Sequence, residues 1–218
     1  MRPKTLDHVA LWVADRDPLV DYATARLGMH VIDRQDAFTL VGSSARHGKL
    51  TFFEAEGARE RGALKHVALR VSSLPDDYDG YAELGEGLVV GLVEAPTDVE
   101  YDLDHAALFS ATPEDTARAY EQLGFNPAES GPSGAPRVEV GAAHVEFHPG
   151  EPGDPEKPLL NHLAVLVDSA DQHIAEANEL GIEIDNVVDA ANTLAVFVWG
   201  PERVRVEYVE HKPTFSLT

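Results

Sequence analysis

The chain has 218 residues, enough to bury a sizeable core as one large domain or as two domains of about 100 residues each. Its 17 Lys and Arg residues face 38 Asp and Glu residues, and a formal net charge of -21 argues against nucleic acid or an anionic membrane as a partner. The lack of cysteine excludes disulfides, thiolate metal sites and a cysteine nucleophile, so any metal must bind through His and carboxylate. With no stretch resembling a signal peptide or a membrane span, the sequence predicts a cytoplasmic protein.

A hexamer near the start of the chain recurs three times. LDHVAL at 6–11 returns as LKHVAL at 64–69, as LDHAAL at 103–108 and as LNHLAV at 160–165. The shared pattern is Leu, any residue, His, an apolar residue and Ala, and strand alternation puts His and Ala on one face. Such a repeat indicates four related units. The aligned histidines are His8, His66, His105 and His162.

Helical stretches and further strands follow the opening strands. Helices are predicted at 17–27, 113–123 and 171–180, each followed by a glycine that can end it, and a weaker one at 76–84. In the last unit, strands are predicted at 182–188, 193–199 and 204–209. Each full unit is therefore βαβββ, the second unit is shortened, and linkers are predicted at 57–62 and 149–158.

The closing strands of the four units can also be aligned. LTF at 50–52, VGL at 90–92, VEF at 145–147 and VEY at 206–208 share an apolar, variable, apolar pattern. If each unit curls into a half-barrel, the middle residue shares a sheet face with the opening histidine. These middle residues are Thr51, Gly91, Glu146 and Glu207.

Tandem βαβββ units that open with His and close with Glu resemble the vicinal oxygen chelate superfamily. That superfamily includes glyoxalase I, methylmalonyl-CoA epimerase, the extradiol dioxygenases and the bleomycin and fosfomycin resistance proteins. The resemblance implies an α+β fold in which units pair into two cup-shaped half-barrel domains. It also implies a metal ion held by opening-strand and closing-strand residues of two paired units. We place the N-terminal domain at 1–101 and the C-terminal domain at 102–218.

Carried onto this chain, the resemblance implies one divalent metal ion held by the third and fourth units. Imidazole and carboxylate together suit Fe²⁺, Mn²⁺, Zn²⁺, Ni²⁺ or Co²⁺. The first two units supply His8 and His66 but no closing carboxylate, so we expect a degenerate, structural N-terminal half. The implied ligands are His105, Glu146, His162 and Glu207.

Three functions follow from the resemblance. The lead is a glyoxalase-like or epimerase-like enzyme, whose substrate chelates the metal through two vicinal oxygens while Glu146 or Glu207 moves a proton. The alternative is an extradiol dioxygenase, which needs only His105, His162 and Glu207 and usually carries a small residue where Glu146 stands. Such dioxygenases also carry a histidine and a tyrosine upstream of the last Glu, where this chain has residues near Val188 and Phe197.

The third possibility is a protein that sequesters a drug, since the acidic surface suits a cationic ligand. That class tends to lack the metal ligands. In every case the expected partner is a small molecule, and the sequence leaves a homodimer open.

Other polar residues are expected to have minor roles. His144 and His148 alternate with Glu146 on one strand face and could orient its carboxylate, although His148 is expected to be exposed. Tyr208 is predicted to lie in the core, and His173 and His211 at the surface. The tail at 210–218 could cover the mouth of the cup or could fray.

Overall fold

The computed structural model describes residues 1–76, 78 and 80–218. The first unit contains β1 (Thr5–Val13), α1 (Asp17–Arg26), β2 (His30–Arg34), β3 (Phe38–Gly42) and β4 (Lys49–Glu54). The second contains β5 (Leu64–Val71), β6 (Ala82–Gly85) and β7 (Leu88–Glu94). The third contains β8 (Asp102–Ser110), α2 (Pro113–Gln122), β9 (Asn126–Ala128), β10 (Arg137–Val140) and β11 (Ala143–Pro149). The fourth contains β12 (Leu160–Leu166), α3 (Ala170–Leu180), β13 (Ile184–Asp189), β14 (Thr193–Trp199) and β15 (Arg205–His211).

The predicted βαβββ order is confirmed in the three full units, but the helix predicted at 76–84 is wrong over its last part. Positions 77 and 79 lie outside the described residues, and 82–85 lie in strand β6. Glu86 and Gly87 both have positive φ, 52° and 82°, and join β6 to β7 as a two-residue hairpin turn. The turn at Glu86 and Gly87 therefore favours a β-hairpin here, although the residue pattern is weakly helical.

The units pair in an order that the sequence did not reveal. The eight-stranded sheet runs β13-β14-β15-β12-β1-β4-β3-β2, so the fourth unit pairs with the first. The seven-stranded sheet runs β6-β7-β5-β8-β11-β10-β9, so the second unit pairs with the third. The expected division at 101/102 therefore does not separate the two sheets. Because the four opening strands present nearly identical edges, their sequences do not specify which edge pairs with which.

Two linkers connect the sheets and run side by side. A parallel bridge joins Glu60 to Pro158, and the Leu159 amide donates to the Glu60 carbonyl at 2.7 Å. The segments 57–62 and 149–158, predicted as linkers, therefore carry the chain from one sheet to the other and back.

Opening strands pair with opening strands, antiparallel and with a register shift at the same point in each. In β1, Leu6 pairs with Val165 and His8 with Ala164, so Asp7 is the extra residue of a bulge. The other opening strands carry the extra residue directly before their histidine as well. A bulge re-aims a side chain, and in three of the four strands it brings the preceding side chain to the histidine. The extra residues are Asp7, Lys65, Asp104 and Asn161.

The predicted register of the closing strands is confirmed in all four units. Each closing residue pairs with the alanine two positions after the opening histidine, in parallel strands. The four pairs are Ala10 with Thr51, Ala68 with Gly91, Ala107 with Glu146 and Ala164 with Glu207. Opening histidines and closing side chains therefore share one face, and the alanine between them leaves room for a ligand.

The opposite strand faces form the core. One apolar cluster contains residues of both sheets and all three helices. Tyr208 belongs to it, as predicted, and its hydroxyl donates to the Leu123 carbonyl at 2.6 Å. Within the described parts of the chain, no helix has the length and apolar character needed to cross a membrane.

An engineered disulfide can test the pairing of the first and fourth units. Thr5 and Leu166 are direct partners in β1 and β12, and both are partly exposed. Because the chain has no cysteine of its own, Thr5→Cys with Leu166→Cys is expected to form one intramolecular disulfide. Gel mobility with and without reductant measures it.

The matched control places the first cysteine on the third unit. Asp102 precedes the opening Leu of β8 as Thr5 does in β1, but it pairs with Arg70. Asp102→Cys with Leu166→Cys should therefore stay reduced. Cross-linking of this pair in place of the first would contradict the observed sheet order.

Candidate metal centre

Three side chains meet on the concave face of the eight-stranded sheet. The Nε2 atoms of His8 and His162 are 3.0 Å apart. Glu207 Oε2 lies 3.2 Å from His8 Nε2 and 2.9 Å from His162 Nε2. His162 and Glu207 are buried, and His8 is nearly so. We call this group the first cluster.

The residue before each histidine fixes the orientation of the imidazole. His8 Nδ1 lies 2.8 Å from Asp7 Oδ1, and His162 Nδ1 lies 2.9 Å from Asn161 Oδ1. Arg205 donates to the same Asn161 oxygen at 3.2 Å, which identifies that atom as the acceptor. Both Nδ1 atoms therefore carry a proton, and in the neutral imidazoles the Nε2 lone pairs face each other.

The carboxylate of Glu207 adds a third acceptor at the same point. Its Oε2 is buried, and apart from the two imidazoles it has no polar partner among the described residues. With both imidazoles neutral, two lone pairs and an anionic oxygen would converge without a donor, and a cation, either a proton on His8 or a metal ion, would satisfy all three.

The separations fit a divalent metal ion. Two ligands at right angles around an ion, each about 2.1 Å from it, lie about 3.0 Å apart. The three edges of 2.9 to 3.2 Å match that value. Two histidines and one carboxylate on one face of the ion form the arrangement typical of non-haem iron sites. His8, His162 and Glu207 could therefore hold one divalent ion and leave its opposite face open.

The charges in the first cluster show how closely its groups interact. Burial alone would lower the pKa of His8, but the charge of Glu207 and the hydrogen bond to Asp7 outweigh it and raise the pKa to about 9. Burial would raise the pKa of Glu207, but the charges of His162 and His8 lower it to about 2. For His162, burial prevails and its pKa falls below the ordinary value. At neutral pH and without a metal ion, His8 is therefore protonated and carries the positive charge of the cluster.

A second layer of charge lies behind His8. Asp7 also contacts the Lys49 ammonium at 2.7 Å and His211 Nε2 at 3.1 Å. Burial would raise the pKa of Asp7, but Lys49, His211 and His8 hold it well below the ordinary value. Asp7 therefore stays ionised and keeps its hydrogen bond to His8.

The first cluster forms part of the wall of a cavity of about 520 Å³. Apolar side chains make up about half of the residues that line it. They include Trp12, Phe38, Phe53, Val188, Phe197 and Phe215. Thr51, the closing residue of the first unit, also lies on this wall. It stands at the fourth ligand position, where a carboxylate would complete a four-ligand set.

The C-terminal tail lies along the mouth of this cavity. Phe215 and Leu217 line it, and Phe215 stacks on His211 with ring centroids 4.2 Å apart. The Ser216 amide donates to Asn192 Oδ1 at 3.0 Å. This placement agrees with the expectation that the tail covers the cavity, and not with a frayed terminus.

A second cluster lies on the seven-stranded sheet. His66 and His105 face each other with their Nε2 atoms 2.9 Å apart. The carboxylate of Glu146 contacts His148 Nε2 at 3.0 Å and His144 Nε2 at 3.4 Å. These five side chains form what we call the second cluster.

Burial and charge also perturb the second cluster. Burial and the neighbouring charges of His105 and Lys65 lower the pKa of His66 to about 3. Burial would raise the pKa of Glu146, but hydrogen bonding to His144 and the charge of His105 lower it to about 2. Glu146 is therefore an anion among imidazoles.

The structure does not bring the four expected ligands together. His162 and Glu207 lie in the first cluster, whereas His105 and Glu146 lie in the second. The cause is the unit pairing described above. His8, expected to be a structural relic, stands beside His162 and Glu207, and His66 stands beside His105.

Other expectations for single histidines were also wrong. His148 contacts Glu146 instead of being exposed, and His173 is buried, stacked on Tyr208 at 5.1 Å. His211 contacts Asp7 and lines the cavity rather than the surface. One signal could have found the second layer: three of the four repeats carry Asp or Asn, both acceptors, directly before the histidine.

The proton on His8 leads to a pH prediction. Ligation requires a neutral Nε2, so binding of a divalent ion at about pH 8 is expected to release about one proton. Because the pKa of His8 is raised to about 9, this release should disappear as the pH rises through that value. Calorimetric titration in buffers of different ionisation enthalpy measures it. A release that is absent at about pH 8 would contradict the charge state assigned to His8.

Comparison with known proteins places the fold. The model of the Glyoxalase/Bleomycin resistance protein/Dioxygenase superfamily matches residues 5–101. No curated protein sequence matches the chain significantly.

Solved structures match almost the whole chain. A proposed dioxygenase from Bacillus subtilis has a TM-score of 0.74 at 14% identity, over 98% of this chain and 87% of that one. Glyoxalase I from Zea mays has a TM-score of 0.71 at 16% identity, over 94% of this chain and 92% of that one. The cppA protein from Streptococcus pneumoniae has a TM-score of 0.57 at 14% identity, over 95% and 98%. The match over residues 5–101 and the similarity to these solved structures together show that the chain has the vicinal oxygen chelate fold.

Proposed function

We propose that the chain is a metal-dependent dioxygenase of the extradiol type, acting on a small apolar molecule with two vicinal oxygens. The observation that carries the proposal is the ligand set of His8, His162 and Glu207, with Thr51 at the fourth position. A divalent ion held there would polarise both oxygens of the substrate, and iron or manganese would add the redox chemistry that cleavage with dioxygen needs.

The residue at the fourth position favours the dioxygenase over the glyoxalase-like lead. Proton transfer beside a chelated carbonyl calls for a carboxylate within reach of the substrate carbon. Of the two carboxylates expected to supply it, Glu146 lies on the other sheet and Glu207 belongs to the ligand set, while Thr51 is neither an acid nor a base. A small neutral residue also leaves the coordination positions that a chelating substrate and dioxygen require.

The cavity indicates the kind of substrate. Aromatic side chains from both paired units surround the first cluster, and Phe197 lies 5.1 Å from the His162 ring. Apolar walls with a few convergent polar groups are typical of small-molecule sites. An aromatic ring with two adjacent hydroxyls fits these walls and can chelate through both oxygens.

His211 is the side chain best placed to exchange a proton with such a substrate. It lies in the cavity wall, its Nε2 contacts Asp7, and its Nδ1 is buried without a hydrogen-bond partner in the described residues. The positions where the resemblance implies a histidine and a tyrosine hold apolar residues, so His211 takes this role from a different strand position. General acid–base catalysis of this kind contributes about 10²- to 10⁴-fold to the rate.

Oxygen consumption tests the proposed function. Protein loaded with Fe²⁺ or Mn²⁺ is expected to consume oxygen in the presence of catechols, followed with an oxygen electrode. Thr51→Glu should keep the bound metal and abolish oxygen uptake, because the new carboxylate takes a coordination position that the reaction requires. Thr51→Gln is the uncharged control of the same size and should lose less.

The glyoxalase-like alternative predicts the reverse result. Wild-type protein would isomerise the hemithioacetal of a 2-oxoaldehyde without consuming oxygen, and Thr51→Glu would not impair it. Either finding would exclude the dioxygenase. A protein that binds a cationic drug but has neither activity would support the sequestering class.

Truncation tests the role of the tail. Deleting residues 214–218 removes Phe215 and Leu217 from the cavity wall, and loss of their apolar contacts with the substrate is expected to raise the Michaelis constant about tenfold. Deleting only Thr218, which is exposed, is the control and should change nothing. Unchanged kinetics in the longer deletion would show that the tail does not contact the substrate.

A further inference from the structure

The two residues that hold the imidazoles of the first cluster differ in what they can do. The carboxylate of Asp7 only accepts hydrogen bonds, so it keeps a proton on His8 Nδ1 in any orientation. The amide of Asn161 has an acceptor at one end and a donor at the other. If its NH₂ group faced His162, Nδ1 would have to accept, and the proton of the neutral imidazole would move to Nε2. The Nε2 lone pair of His162 would then be lost to a metal ion.

Arg205 selects one of the two orientations of the Asn161 amide. Its Nη1 donates to Asn161 Oδ1 at 3.2 Å, and the same oxygen lies 2.9 Å from His162 Nδ1. A guanidinium has only donors and stays protonated, so an NH₂ group turned toward it would place donor against donor. Asn161 is buried, which makes such a contact costly. Oδ1 therefore faces both Arg205 and His162.

The guanidinium of Arg205 is itself held in place. Its Nη2 donates to Asp185 Oδ2 at 2.5 Å, and Asp185 Oδ1 accepts from Trp199 Nε1 at 3.1 Å. The guanidinium also lies 4.6 Å from the centroid of the Phe197 ring, a cation–π contact. An ion pair on one side and an aromatic ring on another therefore fix its position relative to Asn161.

We propose that Arg205 is a positioning residue, which sets the tautomer of His162 through Asn161 and thereby the affinity of the first cluster for its metal ion. Among the described residues, its hydrogen bonds go to Asn161 and Asp185 and not to the three ligands. The effect on affinity rests on the metal ion of the proposed function, whereas the tautomer can be measured without metal. Hydrogen-bond partners behind a ligand typically change metal affinity about 10- to 100-fold.

The other sheet contains a matched control. Arg70 donates to Asp104 Oδ2 at 2.9 Å, and Asp104 Oδ1 lies 2.7 Å from His105 Nδ1. An arginine again stands behind the residue that precedes an opening histidine. Here that residue is a carboxylate, which accepts whether or not the arginine is present. Removal of Arg70 is therefore expected to leave the proton of His105 on Nδ1.

Nitrogen NMR of the histidine rings tests the tautomer in metal-free protein at neutral pH. Wild-type His162 is expected to carry its proton on Nδ1. In Arg205→Met a fraction of His162 should carry it on Nε2, and the dissociation constant for Zn²⁺, measured by competition with a chelator, should rise about tenfold or more. Arg70→Met should keep the proton of His105 on Nδ1 and leave the Zn²⁺ affinity unchanged.

Rescue separates positioning from packing. Asn161→Asp, added to Arg205→Met, supplies a group that only accepts, so His162 should regain its Nδ1 proton and the Zn²⁺ affinity should recover. Loss of contacts with Phe197 and Trp199 would not be repaired by this change. A second substitution that restores neither property would contradict the inference.

Unchanged His162 signals and Zn²⁺ affinity in Arg205→Met would also overturn it. Oxygen consumption enters none of these measurements, so a wild-type protein that binds Zn²⁺ but never consumes oxygen contradicts the proposed function alone. Should Arg205→Met fail to fold, as judged by circular dichroism, Asp185→Asn tests the same contact. It removes the charge that holds the guanidinium and should weaken Zn²⁺ binding by a smaller factor, and no change in that variant would count against Arg205.

Discussion

The pairing of bulged opening strands is the constraint on which both clusters depend. A regular antiparallel pair would send the residue before each histidine to the opposite sheet face. The extra residue in each strand cancels that alternation locally, so an acceptor such as Asp7 or Asn161 reaches the Nδ1 of the following histidine. Because the bulge occurs in both partners, two histidines meet at one point with their Nε2 atoms toward each other. The bulges that interrupt regular strand pairing therefore also determine the geometry of the site.

Alanine at the centre of each pair completes this arrangement. Ala10 pairs with His162 on one side and with Thr51 on the other, and Ala164 pairs with His8 and with Glu207. A larger side chain at either position would stand between the histidine and the closing residue. The recurrent His-x-Ala pattern is thus explained by the space that a ligand needs.

Much of the fold could be predicted from the sequence, because its signals are local. The repeat, the three main helices and the register of the closing strands follow from periodicity, glycine positions and alignment of short segments. The pairing of units could not be predicted in this way. Four opening strands with almost the same sequence offer equivalent edges, and the choice between them is made by the linkers and by packing across the chain. The site depends on that choice. His162 and Glu207 lie together, as the expected ligand set required, but His8 stands beside them in place of the expected His105 and Glu146.

The two clusters differ in the residues that the repeat leaves variable. In the first, Asp7 and Asn161 hold both imidazoles, the part of the chain that the structure describes offers Glu207 Oε2 no partner besides them, and Thr51 leaves a coordination side facing the cavity. In the second, Lys65 replaces one acceptor, two further histidines hold the carboxylate, and Tyr81 fills the space above Gly91. A duplicated scaffold thus supplies the same backbone positions twice. Substitutions directly before the histidine and at the closing position make the first cluster open to a substrate and the second closed.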